Sequence, residues 1–123
     1  MTKRILVIED NEDNRRIVRD LFTSAGYELL EAVSGEDGVT LARRERPDLI
    51  LMDIQLPGFD GYEATRRIKA EPGLAGVPII VVTSYALSGD DVKAMAAGAD
   101  GYVSKPFSPR ALLAKVREFL PDR

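Results

Sequence analysis

Two apolar patterns alternate along the chain: short unbroken apolar runs, and longer segments in which apolar residues recur every three or four positions. Unbroken runs are typical of strands buried on both faces of a sheet, and the wider spacing is typical of amphipathic helices. The runs predict strands over Ile5–Ile8, Leu49–Met52, Val77–Val82 and Gly101–Ser104, and a weaker pattern predicts one over Glu28–Ala32. Because a helical segment follows each strand, the pattern predicts an α/β fold of five βα units, (βα)5, a three-layer sandwich with helices on both faces of a parallel sheet.

The helical segments carry start and stop signals. The third helix is predicted over Asp60–Ala70, with Ala64 and Ile68 facing the core. Serine N-caps and glycine stops bound the other four helices: Ser34, Ser88 and Ser108 at starts, and Gly26 and Gly98 at ends.

Length and composition predict one domain over residues 1–123. The chain has no His and no Cys, which excludes catalytic triads with a histidine base and zinc sites built from these residues. The net charge of -3 argues against a nucleic-acid surface, and no apolar run reaches the roughly 18 residues of a membrane span. No signal peptide precedes the first strand, so a cytoplasmic location is expected. Met1 and the polar last residues favour a whole protein.

Charged and hydroxyl side chains stand where the predicted strands end. The first strand runs into Glu9 and Asp10, the third into Asp53, the fourth into Thr83 and the fifth into Lys105. Parallel strands end at one edge of the sheet, where ligand sites of such folds form. Each residue alone has a structural explanation. Glu9 and Asp10 could cap a helix, and Asp53 could begin a turn. Thr83 could simply end its strand, and Lys105 could be a solvated charge. Their coincidence at one edge favours a functional site.

Carboxylates gathered at one edge create an electrostatic problem. Two carboxylates about 4 Å apart repel each other by about 4 kcal/mol at an effective dielectric constant of 20. Without compensation, one of them would bind a proton and its pKa would rise. Mg²⁺ relieves this repulsion, since it prefers oxygen ligands and commonly takes one or two carboxylates together with phosphate oxygens. The edge is therefore predicted to bind Mg²⁺ beside a phosphate.

Four segments of the chain resemble the receiver domain of two-component response regulators. They are VIEDNEDNRRIVRDLF, LILMDIQLPGFDGYEATRRIK, PIIVVTSYA and GYVSKPFSPRALL, in the order and at the spacing of that family. The resemblance covers essentially the whole chain. It is strongest to small single-domain regulators of the cell-cycle or chemotaxis kind and to receiver modules of hybrid kinases. It implies a flavodoxin-like sheet of strand order 2-1-3-4-5.

The resemblance implies the ligands and the acceptor of the site. Asp53 is the expected phosphoryl acceptor, and carboxylates do act as covalent nucleophiles. Asp10, Asp53 and the main-chain carbonyl of Gln55 are expected to bind Mg²⁺ directly. Glu9 is expected to act less directly, through a water on the metal.

The resemblance also implies how the phosphate is held and read. Lys105 would pair with a phosphoryl oxygen, and the Lys105–Pro106 peptide bond would be cis. Thr83 would bond another phosphoryl oxygen and vacate space into which Tyr102 turns, although Tyr102 also fits a half-buried strand aromatic. The surface of the fourth helix, fifth strand and fifth helix would change, and Ala94, Ala97, Tyr102 and the helix beginning at Ser108 would meet a partner there.

The resemblance implies a phosphohistidine donor on a histidine kinase or histidine phosphotransfer protein, and this chain has no His to hold one itself. The expected output is contact with a downstream protein target, without direct binding to nucleic acid or a membrane. The resemblance thus predicts a bacterial signalling phosphoprotein of a phosphorelay. It would not be an enzyme beyond catalysing its own phosphorylation and dephosphorylation.

Three alternative functions compete with this hypothesis. A receiver-like interaction module that is not phosphorylated would lack an acid or the lysine, and neither is missing. A flavin-binding protein would need a phosphate loop after the first strand, where residues 9–13 are acidic. An aspartate-based phosphatase would need a second acid two residues beyond Asp53, where Gln55 stands.

Overall fold

The computed structural model describes residues 2–83, 90–105 and 108–120. In this part of the chain the strands are β1 Arg4–Ile8, β2 Glu28–Ala32, β3 Leu49–Asp53, β4 Ile79–Thr83 and β5 Gly101–Ser104. The helices are α1 Glu12–Ser24, α2 Gly35–Glu45, α3 Gly61–Lys69, α4 Asp90–Ala96 and α5 Pro109–Phe119. Strands and helices alternate throughout, so the predicted (βα)5 order is confirmed.

The five strands form one parallel sheet in the order β2-β1-β3-β4-β5. Ile8 near the end of β1 pairs with Met52 of β3, and Met52 pairs in turn with Val81 of β4. The winding direction reverses between β1 and β3, and α/β sheets bind ligands at the carboxyl ends beside such a reversal. The predicted flavodoxin-like strand order is confirmed, and it positions the end of β3 beside the end of β1.

The pleat of the strands divides the apolar core into two layers, because successive side chains point to opposite faces of a sheet. Leu6 and Ile8 of β1 belong to the layer shared with α2, α3 and α4, which we call the α2–α4 layer. Ile5 and Val7 belong to the layer shared with α1 and α5, which we call the α1–α5 layer. Both faces of the sheet are therefore covered.

Strand β4 begins two residues later than predicted and includes Thr83. Pro78 has no N–H to donate to a ladder, although its carbonyl accepts the Ile50 N–H at 2.9 Å. At the other end, the Thr83 carbonyl accepts the Lys105 N–H at 2.6 Å, so pairing extends to the edge of the sheet.

Four of the described helices begin at a side-chain cap, and the capping residues are Asn11, Ser34, Asp60 and Ser108. The predicted caps Ser34 and Ser108 are confirmed, while Ser88 lies outside the described residues. Because Asn11 caps α1, capping does not account for Glu9 and Asp10. None of the described helices combines the length and apolar character needed to cross a bilayer.

The prediction that Ala94 and Ala97 meet a partner was wrong. Ala94 is fully buried and Ala97 is 5% exposed, because their small side chains let α4 pack closely on the sheet. The large apolar side chains that α4 exposes are Val92 and Met95, at 67% and 52%. Among the described side chains of α4, Val92 and Met95 are therefore the large apolar ones available to a partner.

Two isoleucines in apolar helical patterns provide a matched test of the core. Ile68 of α3 is fully buried, whereas Ile17 of α1 is 54% exposed. We expect Ile68→Ala to lower the free energy of unfolding by about 2–5 kcal/mol, because it leaves a cavity in the α2–α4 layer. Ile17→Ala should lower it by less than about 1 kcal/mol. Urea titrations followed by circular dichroism measure both losses, and equal losses would contradict the burial of the two side chains.

Candidate functional site

Three charged side chains converge at the carboxyl edge of the sheet. Glu9 follows β1, Asp53 ends β3 and Lys105 follows β5. Each stands two positions after a residue of the α1–α5 layer and therefore points to the same face of the sheet. Those residues are Val7, Leu51 and Val103. Lys105 Nζ lies 3.0 Å from Glu9 Oε1 and 3.8 Å from Asp53 Oδ2. The structure thus brings together residues that stand up to 96 positions apart in the sequence.

The Asp53 carboxylate is only 8% exposed. Its Oδ1 accepts the N–H of Ile54 at 2.8 Å, which fixes the orientation of the carboxylate. Burial and then the neighbouring Glu9 carboxylate raise the pKa of Asp53 to about 7, against the opposite effects of Lys105 and the Ile54 N–H. Ionised Asp53 is therefore costly in this site, and a cation placed beside it would lower that cost.

Glu9 is held by its backbone and by its side chain. Its N–H donates to the Ala32 carbonyl at 3.0 Å, and its own carbonyl accepts from Arg15 Nη1 at 2.8 Å. The side-chain Oε2 accepts the Asn11 N–H at 3.2 Å, while Oε1 accepts from Lys105. With 7% of its surface exposed, Glu9 is a fixed element of the site.

The carboxylates at this edge fit a divalent cation. One oxygen from each of Glu9, Asp10 and Asp53 lies within 4.8 Å of the others. Asp10 is exposed, and it lines a groove of about 510 Å³ together with Gln55 and the loop that follows β3. A donor set of carboxylate oxygens is the kind that Mg²⁺ prefers. Glu9, Asp10 and Asp53 would hold such an ion, and the Gln55 carbonyl stays a predicted ligand.

Thr83 and Tyr102 lie towards the other face of the sheet. Thr83 is 1% exposed and continues the row of Ile79 and Val81, which face the α2–α4 layer. Tyr102 pairs with Val81 across β4 and β5 and packs partly buried against the same layer. The two predicted switch residues therefore share one face on neighbouring strands, and their role in switching stays a prediction.

Lys105 is the last residue described before the gap at 106–107. The predicted cis peptide bond between Lys105 and Pro106 therefore lies outside the described residues. The position of Lys105 itself is set by its N–H bond to Thr83, which extends the β4–β5 pairing by one step.

Gly61 supports the end of β3 and was not predicted from the sequence. Its N–H donates to the Ile54 carbonyl at 2.9 Å, which closes the loop between β3 and α3. A Cβ at this position would overlap with the Asp53 carbonyl oxygen and lie 2.9 Å from the Ile54 Cα. Only glycine lets α3 begin this close to β3. The available signal was a glycine at the first position of a helix, directly after an Asp cap.

The model of the family described as the response regulator receiver domain matches residues 5–117. The chain belongs to the response regulator receiver family. Among curated receiver proteins, the polar-differentiation response regulator DivK of Brucella ovis is 41% identical over 122 residues, covering 99% of both chains. The protein of the same description from Brucella anthropi is 40% identical with the same coverage. The predicted membership of the two-component response regulators is confirmed.

Solved receiver domains share this fold. The receiver domain of the sensor histidine kinase PA1611 from Pseudomonas aeruginosa PAO1 has a magnesium ion coordinated in its active site cleft. It matches with a TM-score of 0.91 and 37% identity, covering 99% of this chain and 100% of that one. Chemotaxis protein CheY4 of Vibrio cholerae matches with a TM-score of 0.92 and 26% identity, covering 97% and 99%.

The raised pKa of Asp53 predicts how the stability of this receiver domain depends on pH. Between the ordinary Asp pKa of 3.8 and the folded-state pKa of about 7, the folded chain holds a proton that the unfolded chain releases. The contribution of Asp53 to stability is therefore complete below about pH 4 and is lost as the pH rises through about 7. Asp53→Asn removes this loss. Without divalent cations and above pH 7, the free energy of unfolding of the variant should exceed that of the wild type by on the order of 2 kcal/mol.

Urea titrations at pH 4.5, 6 and 8 in a chelating buffer measure this difference. The gain should shrink steadily towards acid pH, where Asp53 is protonated in both states. A gain that is constant across the range would contradict the shifted pKa.

Gly61→Ala is expected to displace the end of β3. The added methyl meets backbone atoms of Asp53 and Ile54, which yield less easily than side chains, so the loss of stability should be about 1–3 kcal/mol. Amide spectra should show the largest shifts at Asp53 and its neighbours. Gly76→Ala is the matched control, because a Cβ there has no atom within 4 Å. A Gly61→Ala variant as stable as Gly76→Ala would show that the close approach is unimportant.

Proposed function

We propose that this receiver domain accepts a phosphoryl group from a phosphohistidine donor onto Asp53 with the help of Mg²⁺, and that phosphorylation changes its α4–β5–α5 surface. The observation that carries the proposal is the buried Asp53 carboxylate at the end of β3. Oxygens of Glu9 and Asp10 lie within 4.8 Å of it, and Lys105 Nζ is 3.8 Å away. Phosphoryl transfer needs this combination of an oriented nucleophile and positive charge around the phosphate.

Asp53 is the nucleophile. One of its carboxylate oxygens forms a bond to phosphorus while the phosphorus–nitrogen bond of phosphohistidine breaks. The leaving imidazole nitrogen keeps the electron pair and takes a proton from solvent. The Ile54 N–H on Oδ1 orients the carboxylate, and Lys105 stands on the Oδ2 side, where its ammonium can pair with a phosphoryl oxygen.

Asp10, Asp53 and the Gln55 carbonyl are the proposed magnesium ligands, with Glu9 beside them. Bound there, Mg²⁺ would supply positive charge that offsets the negative charge of the carboxylates and of the phosphate. The carboxylate cluster supports this assignment. So does the magnesium ion in the active site cleft of the Pseudomonas aeruginosa receiver domain, which is 37% identical.

Thr83 and Tyr102 are the proposed switch. Thr83 donates its hydroxyl to a phosphoryl oxygen, and Tyr102 follows on the same face of the sheet as space opens. Their shared position against the α2–α4 layer supports this coupling. Val92 and Met95 give the exposed side of α4 the apolar character that suits a protein partner.

The proposed donor is a histidine kinase or a histidine phosphotransfer protein, and the proposed output is a downstream protein target. The lack of His in the chain supports a donor outside it. Residues 1–123 act as one cytoplasmic domain on this proposal, without direct nucleic-acid or membrane binding. Its catalysis is limited to its own phosphorylation and dephosphorylation.

Incubation with Mg²⁺ and acetyl phosphate, a small phosphoryl donor, should add one phosphoryl group, measured by intact-mass spectrometry. Asp53→Asn should abolish the addition, because an amide oxygen is a far weaker nucleophile than a carboxylate. A chelator should abolish it in the wild type.

Asp20→Asn is the matched control, because Asp20 is exposed on α1, away from the strand ends. It should be labelled like the wild type. Labelling that persists in Asp53→Asn would reject the acceptor, and a wild type that is never labelled would favour the interaction module that is not phosphorylated.

A further inference from the structure

Arg15 is largely buried near the start of α1 and connects three parts of the fold. Its side chain is 11% exposed, and each of its three guanidinium nitrogens donates to a different residue. Nη1 donates to the Glu9 carbonyl at 2.8 Å, Nε donates to Glu31 Oε1 at 3.3 Å, and Nη2 donates to Glu12 Oε1. The guanidinium therefore joins the end of β1, strand β2 and the first turn of α1.

Glu31 anchors the guanidinium of Arg15 to β2. The Glu31 carboxylate also accepts two hydrogen bonds from Arg19, from Nε at 2.6 Å and from Nη2 at 2.8 Å. Hydrogen bonding to Arg19, and to a lesser extent to Arg15, outweighs burial and holds the pKa of Glu31 below its ordinary value. A bidentate pair of this kind fixes the geometry of both partners. The acceptor that holds Arg15 on β2 is thus itself held in place.

The Glu9 carbonyl belongs to the peptide unit between the two acids that follow β1. Because a peptide unit is planar, restraining this oxygen restrains the plane that also contains the Cα atoms of Glu9 and Asp10. The pairing of β1 with β3 ends at Ile8, so this peptide unit lies beyond the register that joins the two strands. The charge-assisted hydrogen bond from Arg15 therefore restrains the direction in which both acidic side chains leave the backbone.

We propose that Arg15 is a positioning residue for the magnesium site, because its hold on the Glu9 carbonyl places Glu9 and Asp10 for a cation that Asp53 also binds. The inference rests on the proposed function. Arg15 does not contact the ion on this proposal and acts only through the backbone between the two acids. The planar fork of arginine is required, because a lysine offers one nitrogen to three acceptors in three parts of the fold.

The charge of Arg15 and its geometry have opposite effects on cation binding. A positive charge close to the site repels Mg²⁺, so removing the charge alone would lower the dissociation constant. Losing the hydrogen bond to the Glu9 carbonyl would raise the dissociation constant, because both acids must then be ordered when the ion binds. The sign of the change therefore distinguishes positioning from electrostatics.

The first experiment observes the guanidinium groups of the metal-free wild-type protein by nuclear magnetic resonance. The two Nη nitrogens of Arg15 should give separate signals, because hydrogen bonds to different acceptors slow rotation about the Nε–Cζ bond. Arg16 is the internal control, since its side chain is 59% exposed and pairs with Asp13 at the surface. Its two Nη signals should be averaged by rotation. Averaged signals for Arg15 would overturn the proposal.

The second experiment measures Mg²⁺ binding by calorimetry in Arg15→Gln and Arg15→Lys. Both variants should raise the dissociation constant, by about 10-fold for Arg15→Gln, as loss of a hydrogen-bond partner behind a metal ligand commonly does. Arg16→Gln and Arg16→Lys are the matched controls, because they make the same changes one residue further along α1, and they should bind Mg²⁺ like the wild type. Urea titrations without metal verify that each variant is folded, and either Arg15 variant is sufficient if the other does not fold.

Three results of the calorimetry contradict the positioning role. An unchanged or lowered dissociation constant in Arg15→Gln would leave Arg15 with a structural or electrostatic effect alone. An equal rise in Arg16→Gln would show that the loss is not specific to the bond with Glu9. Wild-type affinity in Arg15→Lys would mean that a positive charge is sufficient and that the fork is not required.

Neither experiment contains a phosphoryl donor, so the inference and the proposed function can fail separately. Weaker Mg²⁺ binding in the Arg15 variants of a protein that is never labelled at Asp53 would retain the positioning role and reject the proposed function. Labelling at Asp53 together with Mg²⁺ binding that is independent of Arg15 would retain the function and reject the positioning role. A wild type that binds no Mg²⁺ would reject both.

Discussion

The burial of two carboxylates side by side is the constraint on which the site depends. Asp53 and Glu9 are 8% and 7% exposed, and neither can be fully hydrated. Desolvation and mutual repulsion oppose ionisation of Asp53, and Lys105 offsets only part of that cost. A cation bound beside the two carboxylates would offset the remaining unfavourable energy. On the proposed function, the same arrangement favours the binding of Mg²⁺ and then of a phosphoryl group at this edge.

The two apolar layers prevent the charges from relaxing apart. All five residues of β3 are buried, so the acceptor strand cannot shift without disturbing both layers. The loop after β3 is held in turn by Gly61, whose missing side chain lets α3 start against the Asp53 backbone. Close packing around the end of β3 therefore keeps the two carboxylates together. The unfavourable energy of ionising Asp53 persists as long as the protein is folded.

Prediction from sequence succeeded where the controlling physics is local. Unbroken apolar runs marked the five strands, although Pro78 moved the start of β4, and hydroxyl caps marked α2 and α5. It failed on α4, where Ala94 and Ala97 face the sheet and Val92 and Met95 face outwards. Helical spacing identifies apolar stripes, but the fit against neighbouring elements selects the stripe that packs, and here the stripe that packs carries the two alanines. The importance of Gly61 was not predicted, because glycine is required there by a close approach to the backbone at the end of β3.

By itself, the sequence determined the order of strands and helices, the class of oxygen-rich chemistry and the residues that stand at each strand end. These depend on composition, periodicity and the rule that parallel strands end at one edge. The tertiary structure decided the surroundings of Lys105, whose Nζ lies 3.0 Å from Glu9 Oε1 and 3.8 Å from Asp53 Oδ2, and it decided the raised pKa of Asp53. Both outcomes depend on burial and on short distances between residues far apart in the chain. The distances from Lys105 Nζ to the two carboxylates differ by less than 1 Å. A linear pattern does not encode such distances, because they are set by how all the packed layers fit together.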